Sequence, residues 1–359
     1  MSLGGLARRR WLAGALSCVA LPCMVQPLAA RAQADWRRVA VPVYTPRDVV
    51  QGYLRDHALP RVRAWQQSIE ALEEALMTAP GGAAGDAARR AWRGVAIAWS
   101  ALAAVATGPL ITRRSARRVD FHPVRVPLIE RALSQAPAGE DAMERVGSAA
   151  KGLGALEWLL WSREAPHDGP ARAYALELAR DLRREADAVM AEFEAAAHRD
   201  LDDESVVSWF AEIVNQWIGG LEQLRLQRLV RAVEEARARG ARAPIPQRPL
   251  ARIDAAERAA RWQSLQAMAV LGSSDPVPVR GQALVPIETF LRGRGLNSLA
   301  DRLRTSVRAA EFAMQRASVD WPGPMIRAAH AVQAVARLAE AEIAPRLEVR
   351  VGFSDADGD

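Results

Sequence analysis

One glutamate stands in an apolar stretch where a carboxylate needs a partner. Residues 153–161 are apolar or small except for Glu157, which lies four residues after Leu153 and four before Trp161. On a helix this spacing places the three side chains on one stripe. A helix that is apolar all round is buried, and a buried carboxylate is costly unless it is paired, protonated or bound to a metal. The sequence therefore predicts a partner for Glu157.

A second group of chemically active side chains lies upstream, in the segment Asp120-Phe-His-Pro-Val-Arg125. It brings a carboxylate, an imidazole (His122) and a guanidinium together around one proline. One interpretation is a loop whose aspartate binds backbone N–H groups. The other is a pocket wall that offers ligands to a metal or an arginine to an anion. We expect Glu157 to pair with Arg125 or His122, and these two with Asp120 and Glu157 are the candidate ligand- or metal-binding residues.

Two further patterns have simpler structural interpretations. Ser148 and Lys151 have the spacing of a serine–lysine hydrolase, but the accompanying motifs of such enzymes are missing and Ser148 is better explained as a helix N-cap. The acidic residues 200–204 favour the positive end of a following helix. No nucleophile elbow, phosphate loop or zinc spacing of histidines occurs, so no catalytic residue is assigned.

The N-terminus has the features of an export signal. Three arginines at positions 8–10 precede an apolar run to about Val25, and a small-x-small site places cleavage after Ala32. We interpret residues 1–32 as a twin-arginine-like signal peptide, with the Sec route as the alternative, and expect the mature chain in the periplasm or cell envelope. Both cysteines lie in the signal, which excludes a disulfide in the mature chain.

The charge balance excludes one class of partner. The chain has 48 basic and 42 acidic residues, and cleavage after Ala32 removes four arginines. The mature protein is thus close to neutral, which gives no support for nucleic-acid binding. Residues 94–112 carry no charge, but they are rich in Ala, Val and Gly and contain a Gly-Pro break. We therefore expect a central helix there and no transmembrane span in the mature chain.

The amino-acid composition and the positions of Pro and Gly predict the fold class. Ala, Leu, Arg and Glu dominate, β-branched runs are few, and Pro and Gly interrupt stretches of helical length. We predict an all-α protein of two helical bundles, residues 33–200 and 201–359, with short irregular or extended segments at the mature N-terminus and in the acidic C-terminal tail. The segment 240–249, with three prolines, is the clearest linker.

Several fragments occur in an order that resembles the imelysin family, helical cell-envelope proteins typified by an insulin-cleaving membrane protease. The matching fragments are Ala91-Trp92, Ala98-Trp99, Gly108-Pro109-Leu110, Asp120 to Arg125, Gly152 to Glu157, Leu221 to Arg225 and Val351 to Asp359. Together they span nearly the whole mature chain. The family is known for a Gly-x-His-x-x-Glu motif proposed to bind metal or to act in peptide hydrolysis. Here Gly152 and Glu157 match it, while Gly154 stands at the histidine position.

The resemblance implies an all-helical fold of two domains, an envelope location and a link to iron uptake. The missing histidine favours a non-enzymatic binding or accessory protein in iron uptake, with iron as the candidate metal. An imelysin-type metallopeptidase is the first alternative. The second is a structural protein that docks on another envelope component.

Overall fold

Helices separated by short irregular segments make up the part of the chain that the computed structural model describes, residues 41–78, 82–166, 169–318 and 320–352, and these ranges contain no strand. The all-α prediction is therefore confirmed. The predicted signal peptide, its cleavage site at Ala32 and the acidic residues of the C-terminal tail lie outside the described residues.

The first helical run extends further than the prolines in the sequence indicate. Helix α1 (Pro46–Tyr53) begins at a capping box in which Thr45 and Asp48 satisfy each other's backbone N–H groups. It continues through a π-helical segment (Leu54–Ala58) into α2 (Leu59–Thr78). The sequence predicts one helix from Pro46 to about Asp56 and another from Pro60 to Met77, which are close to the bounds of α1 and α2; the π-helical segment joins the two into one run.

The remaining helices of the first half are α3 (Gly82–Leu102), α4 (Pro109–Thr112), α5 (Ser115–Val119), α6 (Val126–Gln135), α7 (Glu140–Glu144), α8 (Gly152–Trp161) and α9 (Gly169–His198). Helix α2 packs between α3 and α9, and α8 packs on both of these. All residues of α8 from Gly152 to Leu159 are buried. This confirms the prediction that the helix carrying Glu157 lies in the interior.

The second half contains α10 (Asp203–Gln223), α11 (Arg231–Ala238), α12 (Asp254–Ala269), α13 (Ile287–Gly293), α14 (Asn297–Gln315), α15 (Pro322–Leu338) and α16 (Ala344–Arg346). Helix α10 begins as its acidic residues predict, because the Asp202 carboxylate accepts a hydrogen bond from the Ser205 backbone N–H at 2.8 Å. A π-helical segment (Leu224–Val230) joins α10 to α11, and a second one (Ala339–Ile343) joins α15 to α16.

Helices of the two halves pack against each other. Helix α3 contacts α12, and α1 contacts α10. The side chains of Trp65, Trp92, Trp99 and Trp217 are almost completely buried in one continuous core. The described residues belong to one compact unit by their contacts, and the division into two bundles near residue 200 stays a prediction.

Residues 94–112 do not form one long helix. Helix α3 ends at Leu102, a 3-10 turn follows, and Gly108 adopts a positive φ of 50° before α4. Within the described ranges no helix is long and apolar enough to cross a membrane.

Candidate functional site

A completely buried arginine, Arg248, lies at the centre of a group of charged side chains. Its guanidinium lies 2.6 Å from Asp120 Oδ1, 3.4 Å from Glu257 Oε1 and 3.9 Å from Glu157 Oε2. It also lies over the ring of Trp92, 5.4 Å from the centroid. Burial alone would lower the pKa of Arg248, but the nearby carboxylates raise it overall, so the guanidinium stays charged.

A second guanidinium completes this charge network. Arg228 lies 3.6 Å from Asp120 Oδ2 and 3.4 Å from Glu257 Oε2, and it is carried by the π-helical segment between α10 and α11. Ser100 donates a hydrogen bond to Glu257 at 3.3 Å. We refer to Asp120, Glu157, Glu257, Arg228 and Arg248 as the buried charge network.

The partner of Glu157 comes from the irregular segment that precedes α12. Its Oε1 accepts hydrogen bonds from the backbone N–H groups of Leu250 (3.2 Å) and Ala251 (2.9 Å). Burial raises the pKa of Glu157, and the repulsion of Glu257 adds to this, while the two N–H groups and Arg248 oppose it. The expectation that Glu157 pairs with Arg125 or His122 is therefore wrong. Both belong to a segment near it in sequence, whereas the amide donors and Arg248 come from more than 90 residues away.

The Asp120 carboxylate is held in its ionised form. His122 Nε2 lies 3.0 Å from Asp120 Oδ1, and both arginines of the network contact the same carboxylate. Burial by itself would raise the pKa of Asp120, but Arg248, His122 and Arg228 together bring it well below its usual range. Arg125 takes no part in these contacts, because its exposed side chain extends from the N-cap of α6.

The two glycines of the family motif lie against the Asp120–Arg125 segment and the helix before it. Gly152 has a φ of +68°, and a Cβ atom there would meet the carbonyl of Val119, so only glycine fits. At Gly154 a Cβ atom would lie 2.7 Å from Val124 Cγ2. The space that the motif histidine needs is therefore filled by Val124.

These residues do not fit a directly coordinated metal ion. The described residues contain no group of three or more His, Cys, Asp or Glu side chains arranged to hold one. The carboxylate oxygens of Asp120 and Glu157 face guanidinium and backbone N–H groups, which would repel a cation. Metal binding at Asp120, His122, Glu157 and Arg125 stays a prediction that this donor set does not favour.

A cavity of about 350 Å³ opens beside the network. Arg228 belongs to both, and His122, which lies 3.0 Å from Asp120, also lines the cavity. Its other walls come from Pro123 and Val124, from residues 244–249, from α11 and from the start of α12. Its charged lining residues, histidine apart, are Arg228, Arg231, Glu235, Arg239, Asp254 and Arg258. Glu157 does not line the cavity, because it is 3% exposed and lies behind the wall.

The serine–lysine pair is not built as a hydrolase site. Lys151 Nζ lies 3.2 Å from Asp181 Oδ2, so the ammonium is paired with a carboxylate and not directed to Ser148 as a base. The N-cap prediction for Ser148 is also wrong: Ser148 begins a 3-10 turn, and Lys151 holds the N-cap position of α8 without a side-chain hydrogen bond.

Comparison with known proteins places these features in a family. The imelysin family model matches residues 49–341. This chain belongs to the imelysin family. The match includes α8 with its motif positions, the Asp120–Arg125 segment and all walls of the cavity, so the buried charge network lies in the part that the family shares.

Solved structures agree in fold. An imelysin-like protein from Psychrobacter arcticum 273-4 superimposes with a TM-score of 0.71 at 17% identity, covering 88% of this chain and 100% of that chain. A candidate iron-regulated protein A precursor from Parabacteroides distasonis ATCC 8503 gives a TM-score of 0.62 at 12% identity, covering 82% of this chain and 93% of that one. At these identities the likeness shows the fold alone. No curated protein gives a significant match.

Sequence reasoning missed the residues that organise the site, Arg228, Arg248 and Glu257. Arg248 belongs to the segment predicted as a linker, which is irregular as expected, but Arg248 itself is completely buried. The one available signal was an arginine between Pro246 and Pro249 in a stretch without helical periodicity. Because the mature chain has more than forty arginines, that signal could not single it out.

Proposed function

We propose that this imelysin-family protein is an exported, non-enzymatic binding or accessory protein in iron acquisition, with its ligand in the cavity beside the buried charge network. The observation that carries the proposal is the cavity itself. It is formed where the Asp120–Arg125 segment meets residues 244–249, and His122 and Arg228 connect it to the network. A cavity of about 350 Å³ falls within the ~300–1,000 Å³ of small-molecule sites.

Binding is a better explanation of this geometry than peptide hydrolysis. A metallopeptidase needs an open metal position with an activated water, and a nucleophilic mechanism needs a side chain activated by a base. Here Glu157 is shielded from the cavity and Asp120 is held by two arginines. Both carboxylates hold the segments behind the cavity wall together, and neither is placed to transfer a proton to a substrate.

Iron enters the proposal through the family resemblance and through the name of the Parabacteroides distasonis neighbour. Export rests on the arginine-rich, apolar N-terminus, which has the order of a signal peptide. Among the described residues no group of three or more His, Cys, Asp or Glu side chains is arranged to hold a bare ion, and the proposal therefore takes iron as part of a larger ligand.

The test combines fractionation with ligand titration. The full chain expressed in a bacterium should appear in the periplasmic fraction with an N-terminus at Gln33. Replacing Arg8, Arg9 and Arg10 by lysine keeps the charge and should retain the protein in the cytoplasm if the twin-arginine route is used. Calorimetric titration of the purified protein with ferric citrate should give one binding site per chain.

Two results would count against the proposal. If neither ferric citrate, Fe³⁺ nor Zn²⁺ binds, the iron-binding function is removed. If the protein cleaves a generic peptide and loses that activity on Glu157→Gln while remaining folded, the metallopeptidase alternative replaces it.

A further inference from the structure

The lining of the cavity carries more positive than negative side chains, and two of its arginines form no salt bridge with a carboxylate of the described residues. Two of its four arginines have partners: Arg228 faces Asp120 and Glu257, and Arg231 lies 2.7 Å from Glu235. Asp254, the other acidic lining residue, accepts hydrogen bonds from the backbone N–H groups of residues 247 and 248 at 2.6 and 3.3 Å. Arg239 and Arg258 therefore remain.

Arg258 is the unusual one, because it is buried and forms no salt bridge with a described carboxylate. Its side chain is 4% exposed, yet within the described ranges no carboxylate approaches its guanidinium to 4.0 Å. Its hydrogen bond goes to the backbone carbonyl of Ala317 at 3.3 Å. Burial lowers the pKa of Arg258, Asp254 and Glu257 oppose this from a distance, and the nearby charge of Arg228 adds to it. Arg248, equally buried, is surrounded by three carboxylates.

A buried guanidinium that lines a cavity and lacks an anionic partner is suited to receive one from a ligand. Guanidinium groups bind carboxylate and phosphate oxygens through paired, charge-assisted hydrogen bonds, and they do so most strongly where water is excluded. Arg239 has an exposed side chain and lines the same cavity. It can therefore attract an anion from solution, while Arg258 holds it inside.

We propose that the cavity binds a small oxyanion-bearing ligand, a carboxylate or a phosphate, with Arg258 as the buried anchor and Arg239 as the outer contact. The inference rests on the proposed function in that both place the ligand in this cavity. It adds that iron would arrive as an anionic chelate, recognised through the oxygens of the chelator. A bare metal cation would be repelled by the same arginines.

The experiment is isothermal titration of the full-length protein with citrate, ferric citrate and inorganic phosphate, each at low and at 150 mM salt. At least one of these anions should bind, and more weakly at the higher salt because the contact is ionic. If citrate binds and phosphate does not, the ligand is a carboxylate. If phosphate binds and citrate does not, the ligand is a phosphate. Either outcome supports the proposal.

Two variants test the assigned residues. Arg258→Met keeps the apolar length of the side chain and should weaken binding by about tenfold or more, because a charge-assisted contact is lost. The same variant should be at least as stable as the parent without ligand, since it removes a buried charge that has no partner. Arg239→Glu changes an exposed residue, so it should fold normally and should also weaken binding about tenfold.

The matched control is Arg302→Met on α14, an exposed arginine outside the cavity, which should leave the affinity unchanged. The proposal is overturned if citrate, ferric citrate and phosphate all fail to bind at millimolar concentration. It is also overturned if an anion binds and both Arg258→Met and Arg239→Glu retain the parental affinity. If Fe³⁺ binds and none of the anions does, the anion inference is wrong and the proposed iron function stands. If citrate binds and ferric citrate does not, the anion inference stands and the proposed iron function is wrong.

Discussion

Replacing Arg248 by methionine is the most direct test of the buried charge network. The substitution keeps an apolar side chain of similar reach but leaves Asp120, Glu157 and Glu257 without their shared cation. The side chains of these three residues are 8%, 3% and 1% exposed, so water has little access to replace the guanidinium. Removing one partner of a buried ion pair costs about 3–5 kcal/mol. Because Arg228 still contacts two of the three acids, we expect about 3–4 kcal/mol and not more.

The pH dependence gives this prediction a second, independent signature. Arg248 lowers the pKa of both Asp120 and Glu157, so without it these two pKa values should rise in the folded variant. A raised pKa in the folded state gives stability that is present at low pH and is lost as the pH rises through the folded value. The destabilisation of Arg248→Met should therefore be larger at pH 8 than at pH 5.

Urea unfolding followed by circular dichroism measures both effects, with the midpoint and slope compared at each pH. Arg302→Met is the matched control, because Arg302 pairs with Glu342 where both side chains are about half exposed. Exposed pairs contribute about 0–1 kcal/mol, so that variant should stay close to the parent. If Arg248→Met costs no more than Arg302→Met, or if its cost does not change with pH, the network does not have the energetic role argued above.

Three further predictions concern residues around the same network. Burial raises the pKa of Glu157 above 4.5, so its favourable contribution to the free energy of unfolding is complete below pH 4.5 and is lost as the pH rises. In urea titrations between pH 4 and 8, the stability of Glu157→Gln relative to the parent should therefore increase with pH. The pKa of Asp120 shifts in the opposite direction, because its arginine and histidine contacts outweigh burial and lower it below 3.8. Asp120→Asn should therefore destabilise the fold at neutral pH, and this destabilisation should shrink as the pH falls below 3.8. A destabilisation that does not change with pH would contradict the assignment. Gly154→His should destabilise the protein by about 1–3 kcal/mol because its Cβ would meet Val124, and adding Val124→Ala should recover part of the loss; a Gly154→His protein as stable as the parent would show that the position is not closed.

The helical nature of the chain and the burial of α8 could be predicted because both depend on neighbouring residues. Composition and helix punctuation indicate helices, and an apolar stretch without a polar face indicates burial wherever the helix packs. The same local reasoning showed that Glu157 needs a partner. It predicted the helix that begins at Pro60 but not the π-helical segment that joins it to α1, and it failed at Ser148, where a 3-10 turn takes the place of an N-cap.

The sequence by itself determined that this protein has a carboxylate inside an apolar helix, with glycine where the family motif has histidine. Only the tertiary structure decided what that carboxylate does. Its partners are two backbone N–H groups, which leave no trace in side-chain patterns, and Arg248, one arginine among many and 91 residues away. Likewise, only packing brings Val124 into the place of the histidine and leaves Arg258 buried beside a cavity. Contacts between residues far apart in the chain depend on the complete fold, whereas helix formation depends on a few residues at a time.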